Sequence, residues 1–400
     1  MTPKPPVRRR HVYYVSGFDP NGPNRYRKLY SEGAREQAIF SGAKIEVGPR
    51  TRVDALTVKW TVHYRRATGE ASTDPVATTE TQYIVPRWDD IVRDFWWHEN
   101  WRQIPDLLNT TWHYLSSGAL FKIYRQRWAA FVSVFAPFLL VMILLPGIVA
   151  HGWAGWALSQ ALASNLALAE SALLFGLVTA LALFWAYWAR RHWHSQWILR
   201  GYSFIRRLAT GRVPDLDARM DAMAALICRQ ASKGEDDEIL IVGHSVGTIL
   251  AVSVLARAFE RDPLLTEHGP VIGLVTLGHC TPMMSNLPEA ARFRDEITIL
   301  ANRTDFRWVD FSDPLDDYAF GGVDPVVAAG KLSRRGEHPQ MRSPEVSRLF
   351  EPGPHSKPRM DVFGIHQQYL CAGRPGHEYD YFAITGGEQT LADRYPPRKD

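Results

Sequence analysis

Cysteine is scarce: the 400 residues hold three, Cys228, Cys280 and Cys371. They are odd in number and far apart, which excludes a disulfide framework and any metal-ligand spacing and suits a reducing compartment. Metal and nucleotide motifs are missing as well. There is no H-x-x-x-H, no phosphate loop with its lysine, and no G-x-G-x-x-G after a strand, so neither a metal nor a cofactor is expected. Charge of one sign is also lacking. Against 46 Lys and Arg stand 42 Asp and Glu, a formal net charge of +4, too small to point to a nucleic-acid partner. Residues 1–10 are proline-rich and basic without the apolar core of a secretory signal, and read as a flexible tail. No internal repeat interrupts the chain. Its 22% charged and 12% aromatic residues describe a folded protein, long enough for one large domain with an insertion.

What is present centres on Glu238-Ile-Leu-Ile-Val-Gly-His-Ser-Val-Gly-Thr-Ile-Leu250. An apolar, β-rich run leads without a gap into Gly243-His-Ser-Val-Gly247, and a helix-compatible run follows through Arg257. This is G-x-S-x-G on a strand–turn–helix, with Ser245 at the tip. Side chains at the two glycines would collide with neighbouring backbone if the serine occupies a strained corner. The helix N-terminus behind it favours an oxyanion. An inert glycine-rich turn is the plain alternative.

Around this stretch, strands alternate with helices. His11–Phe18 reads as a strand ending in a glycine turn, and Tyr26–Phe40 as a helix. Lys44–Val47, Ala55–Tyr64 and Thr79–Val85 read as strands that extend the sheet. Trp193–Leu208 and Asp215–Ala231 read as helices, Val271–Gly278 and Glu296–Ala301 as further strands. The pattern predicts an α/β fold with a doubly wound, mostly parallel sheet.

Two apolar runs stand apart. Residues 128–150 and 171–189 carry no charged side chain and are each long enough to cross a bilayer. Lys122, Arg125 and Arg127 precede the first run, Arg190, Arg191, Arg200, Arg206 and Arg207 follow the second, and the link between holds no Lys or Arg. The positive-inside rule then predicts a two-span transmembrane hairpin with both flanks in the cytoplasm; a buried hairpin forming an apolar lid is the other reading. Asp89–Trp101, rich in Phe and Trp, reads as an interfacial helix or as one docked on its own domain. The expected organisation is a tail over 1–10, a catalytic domain over 11–115 and 201–385, a hairpin insertion over 116–200, and a polar tail over 386–400.

The Ser245 stretch resembles the nucleophile elbow of the α/β-hydrolase superfamily of serine esterases and lipases. A serine hydroxyl needs a base, usually a histidine oriented by a carboxylate, and the superfamily supplies them in the order Ser, acid, His. Trp308-Val-Asp-Phe-Ser-Asp-Pro-Leu-Asp316 resembles the W-x-N-x-x-x-P-x-D pattern that carries the acid in some lipase-like hydrolases. Asp310 stands where that pattern often has Asn, and Asp316 matches its acid; Asp313 is the alternative. For the base, His338, His355, His366 and His377 follow the acid. His366, in Asp361-Val-Phe-Gly-Ile-His-Gln-Gln-Tyr-Leu370, best fits the superfamily's position before a terminal helix, with His355 second. His244 beside the serine need not be the base. By the same resemblance, the backbone N–H groups of Phe18 and Val246 form the oxyanion hole. The resemblance implies a membrane-anchored serine hydrolase acting on carboxylic esters, with membrane lipids and a small-molecule or lipid ester as partners. Thioesterase, acyltransferase and a non-catalytic membrane scaffold remain open.

Overall fold

Strand β1 (Arg9–Val15) lies at the junction of the two halves of the sheet. The structure, a computed structural model, describes residues 5–66, 78–97, 103–164, 172–173, 175–184, 195–330, 337–346, 362–374 and 377–397. After β1 come α1 (Pro23–Ser41), β2 (Lys44–Val47), β3 (Thr51–Arg52), β4 (Thr57–Arg65) and β5 (Thr78–Pro86). Helices α2 (Asp89–Trp97), α3 (Gln103–Ser116), α4 (Ala119–Gln126), α5 (Trp128–Ser164), α6 (Ser195–Ala209) and α7 (Pro214–Ala231) follow. The chain then returns to the sheet as β6 (Glu238–His244), α8 (Gly247–Arg261), β7 (Val271–Leu277), α9 (Thr281–Ser285), α10 (Ala291–Ala301) and β8 (Arg307–Phe311). It ends with α11 (Pro325–Ala328), β9 (Gln340–Arg342), α12 (Val362–Gln367), α13 (Tyr381–Gly386) and α14 (Leu391–Arg394).

The strand order is β2-β4-β5-β1-β6-β7-β8-β9, with β3 on β4. From β5 to β9 all neighbours are parallel, and β4, β2 and β3 add an antiparallel edge. The fold is therefore α/β with a mixed, mostly parallel sheet. Residue patterning explains the division. β6 is buried along its whole length, as a strand covered on both faces must be. Ile239 and Ile241 join the core on one face, Leu240 and Val242 the core on the other. β4 instead alternates, burying Val58, Trp60, Val62 and Tyr64, the two-residue period of a half-covered strand.

The chain leaves β1 to build one half of the sheet and comes back through β6 to build the other. The carboxyl ends of β1 and β6 thus flank a topological switch point, where a crevice opens in doubly wound sheets.

Several sequence expectations are corrected. Glu296–Ala301 is not a strand but part of α10, which buries Phe293, Ile297 and Leu300 on one face. Glu296 is buried too, accepting from Ser253 Oγ at 2.5 Å and Arg257 Nε at 3.1 Å, contacts that only a helical turn can aim at α8. The next strand of the sheet is instead β8, paired in parallel with β7. Neither end is wholly a tail. Arg10 is buried, its guanidinium bonded to Glu238 at 2.5 Å and to the carbonyls of Gly387 and Gln389, and Leu391 and Tyr395 lie in the core.

The transmembrane hairpin and the two-span, cytoplasm-facing localisation are overturned. Among the described residues no helix is long and apolar enough to cross a membrane. α5 does not end near residue 150 but runs on through His151, Ser159 and Gln160 to Ser164. Its first turns belong to the domain: Ala130 is buried, and Phe131 and Phe135 pack on the core. Within 171–189 the longest described helical stretch is 175–184, about 15 Å at 1.5 Å per residue, half of a hydrocarbon layer roughly 30 Å thick. The rest of that run lies outside the described residues. The aromatic helix after Trp88 also docks on its own domain, since Phe95 and Trp96 pack against Phe18.

Candidate active site

β6 delivers the chain to the switch point, and the next residue, Ser245, takes φ 57. This left-handed backbone costs a residue with a side chain about 1–2 kcal/mol, and neighbours hold it there. The Ser245 N–H donates to the Leu277 carbonyl at 3.0 Å. Its own carbonyl accepts from the Thr248 N–H at 2.9 Å and Oγ1 at 2.6 Å. The flanking glycines are dictated by contact. A Cβ on Gly243 would stand 2.8 Å from Thr248 Cα, so glycine lets α8 cross β6. A Cβ on Gly247 would stand 2.2 Å from the Val15 carbonyl, so glycine lets α8 begin against the end of β1. Gly17 completes the approach: its Cβ would lie 3.0 Å from Ser245 Cβ. The turn at Gly17–Phe18 and the elbow, more than 200 residues apart in sequence, are thus in contact.

Asp316 and His366 form the second element. Asp316 sits in the loop after β8 and His366 in α12, where sequence had placed it in a loop before a helix. His366 Nδ1 and Asp316 Oδ2 are 2.7 Å apart, both side chains buried. Burial works against the Asp316 charge, but His366, the Tyr369 hydroxyl at 2.9 Å and the Tyr318 N–H at 3.0 Å together hold its carboxyl below the ordinary range. An ionised Asp316 accepts from Nδ1–H, which leaves Nε2 of a neutral His366 as an acceptor. Nε2 is buried and makes no hydrogen bond, to Ser245 or to any other described group.

The alternatives fall elsewhere. Asp313 accepts from the Leu315 N–H, Ser343 Oγ and the Val346 N–H and organises the loop. Asp310 accepts from Thr276 within the sheet, its carboxyl pushed up by burial. His338 packs on Phe306 away from Ser245. His377 does not line the pocket, and His355 lies outside the described residues. His244 is pushed down to about 3 by burial and then by His366, so it is neutral and donates Nε2–H to the His366 carbonyl at 2.9 Å. It supports the histidine from behind.

Ser245, Val246, Phe18 and His366 line one pocket. Its roof comes from α6, through Trp197, Gly201, Tyr202 and Ile205, and its far wall from Cys280 and Tyr318. Among the described residues the wall holds no Lys, Arg, Asp or Glu, and burial pushes the Cys280 thiol up to about 12. Comparisons with protein-family models, with curated proteins and with solved structures find no match. Among the described residues no cluster of three or more His, Cys, Asp or Glu side chains is arranged to hold a metal ion.

Sequence reasoning missed three supporting groups. Tyr369 bridges the two aspartates, accepting from the Asp313 N–H at 3.0 Å while donating to Asp316. Arg127 donates to the carbonyls of Pro314, Asp316 and Gly321 at 2.7, 3.1 and 2.9 Å, pinning the acid's loop. Trp197 roofs the pocket. Tyr369 stands three residues after His366, one helical turn on, a spacing that would have flagged it. Nothing local marks the other two.

Proposed function

We propose that the chain is a serine hydrolase with the α/β-hydrolase fold, cleaving carboxylic esters through Ser245, His366 and Asp316. The observation that carries this reading is the buried 2.7 Å His366–Asp316 pair whose second ring nitrogen is unpartnered in the pocket that holds Ser245. The elbow glycines, the positive φ of Ser245 and the site's place at the carboxyl ends of parallel strands support the same fold.

In this reading Ser245 Oγ attacks the ester carbonyl carbon while its proton passes to His366 Nε2. Asp316 stabilises the imidazolium and fixes its tautomer. The Phe18 and Val246 N–H groups hold the oxyanion of the tetrahedral intermediate. Collapse expels the alcohol, which takes the proton from Nε2, and water repeats the sequence on the acyl-enzyme. The uncharged, aromatic wall fits an apolar acyl group, such as that of a lipid or of a small apolar ester. Thioester hydrolysis and acyl transfer use the same steps with a different leaving group or acceptor.

The test is labelling of the purified chain by a fluorophosphonate, wild type against Ser245→Ala. Labelling that disappears in the variant supports the hydrolase. One observation favours a second reading, a binding protein without catalysis: His366 Nε2 does not reach Ser245 in a hydrogen bond. Absence of labelling in a folded wild type would establish that reading instead.

A further inference from the structure

The turn beside Ser245 is held in an unusual way. The Ser16 carbonyl accepts from Trp88 Nε1 at 3.2 Å, and the Phe18 carbonyl accepts from Trp197 Nε1. The peptide unit is planar, with soft rotations only at the Cα atoms. Anchoring the carbonyls of residues 16 and 18 therefore fixes the two planes on either side of the one between Gly17 and Phe18. That middle plane carries the Phe18 N–H. The Phe18 side chain is caged as well, its ring centroid 5.1 Å from Phe204, 5.9 Å from Phe95 and 6.3 Å from Trp88.

The two indoles come from different places. Trp88 precedes α2 and is buried in the core. Trp197 lies in the first turn of α6, lines the pocket, and stands edge-on to His366 with ring centroids 6.2 Å apart. An indole N–H can only donate, so each ring is committed to one carbonyl.

We propose that Trp88 and Trp197 are positioning residues that orient the Phe18 N–H toward the oxyanion. This rests on the hydrolase reading. An oxyanion donor stabilises only if it is aimed before charge develops, and losing one outright costs about 10²–10³ in kcat. Loosening its aim costs less, and affects the transition state without affecting substrate binding.

The experiment compares wild type, Trp197→Phe, Trp88→Phe and Ser245→Ala in fluorophosphonate labelling and in hydrolysis of a short p-nitrophenyl ester. Trp197→Phe keeps the ring and removes the N–H. Its kcat is expected to fall about tenfold, less than the 10²–10³ that outright loss of an oxyanion donor costs, with KM and thermal midpoint unchanged. Affinity for a trifluoromethyl ketone, whose serine adduct places an oxyanion in the hole, falls by the same factor. Binding of the carboxylic acid product does not change. Where Trp88→Phe fails to fold, Trp197→Phe alone carries the test. Wild-type kcat and ketone affinity in Trp197→Phe, with labelling still dependent on Ser245, would overturn the positioning role and leave the hydrolase intact. A folded wild type that takes no label would overturn both.

Discussion

Two groups of buried polar side chains, one at each end of strands β1 and β6, are arranged in opposite ways. At the amino end, Arg10 and Glu238 are buried and saturated: the guanidinium bonds Glu238 and two carbonyls, and the other Glu238 oxygen accepts from the Leu391 N–H at 2.6 Å. Capacity is filled there, and the effect is to fasten the last helix to the sheet. At the carboxyl end, His366 Nε2 and His244 Nδ1 are buried without partners and Ser245 holds a left-handed backbone. A buried polar atom left unpartnered costs about 1–3 kcal/mol, and such deficits gather where a site awaits a ligand. The first group is filled; the second leaves two ring nitrogens open.

Substitutions at either end sharpen the contrast. The largest effect is expected for Asp316→Asn, which keeps shape and removes the charge that orients His366. Ester hydrolysis should fall roughly 10⁴-fold while the fold is retained with a small loss of stability at neutral pH, read from kcat and the urea midpoint together. Glu238→Gln is the mirror image. Breaking a buried ion pair should lower stability by about 3–5 kcal/mol, while activity per folded molecule stays at the wild-type value; a large loss of specific activity would break the comparison. Gly247→Ala should damage both ends of the scale at once, because its Cβ would lie 2.2 Å from the Val15 carbonyl. Overpacking of this kind costs about 1–3 kcal/mol, and the displaced elbow should lose activity as well. Tyr369→Phe leaves the Asp313 N–H without its partner and removes one donor from Asp316. A stability loss of about 1–3 kcal/mol is expected, with a smaller fall in kcat than Asp316→Asn produces.

The smallest effect concerns pH. The folded Asp316 carboxyl is held below its ordinary value, so its ionised form contributes stability that is complete above the unfolded value of about 3.9. That contribution is lost as pH falls through the lower folded value. Denaturant midpoints measured at neutral pH and near pH 3 should therefore converge between wild type and Asp316→Asn. A gap that widens on acidification would mean that Asp316 is not held ionised.

Much of this was legible locally. The α1, β4, β5 and α7 segments follow apolar periodicity, and the elbow is a contiguous strand, turn and helix whose glycines announce themselves. The failures share a cause. Glu296–Ala301 is rich in β-branched and apolar residues, and packing settles it as a helix: Phe293, Ile297 and Leu300 face the core while Glu296 meets Arg257 and Ser253. Arg10 looked like part of a basic tail until Glu238 received it. The apolar run from Trp128 gave hydropathy but not extent, and Ala130, Phe131 and Phe135 commit its start to the domain.

The amino-acid sequence by itself determined the alternation of strands and helices, the strained corner at Ser245 and a short set of acids and bases downstream. These depend on neighbours along the chain. Tertiary structure alone decided that Asp316 rather than Asp313 meets His366, and that Gly17 touches Ser245. It also decided that Trp88 and Trp197 close on the same turn. Such pairings span tens to hundreds of residues, and hydrogen-bond geometry at a few ångströms has no signature in sequence spacing.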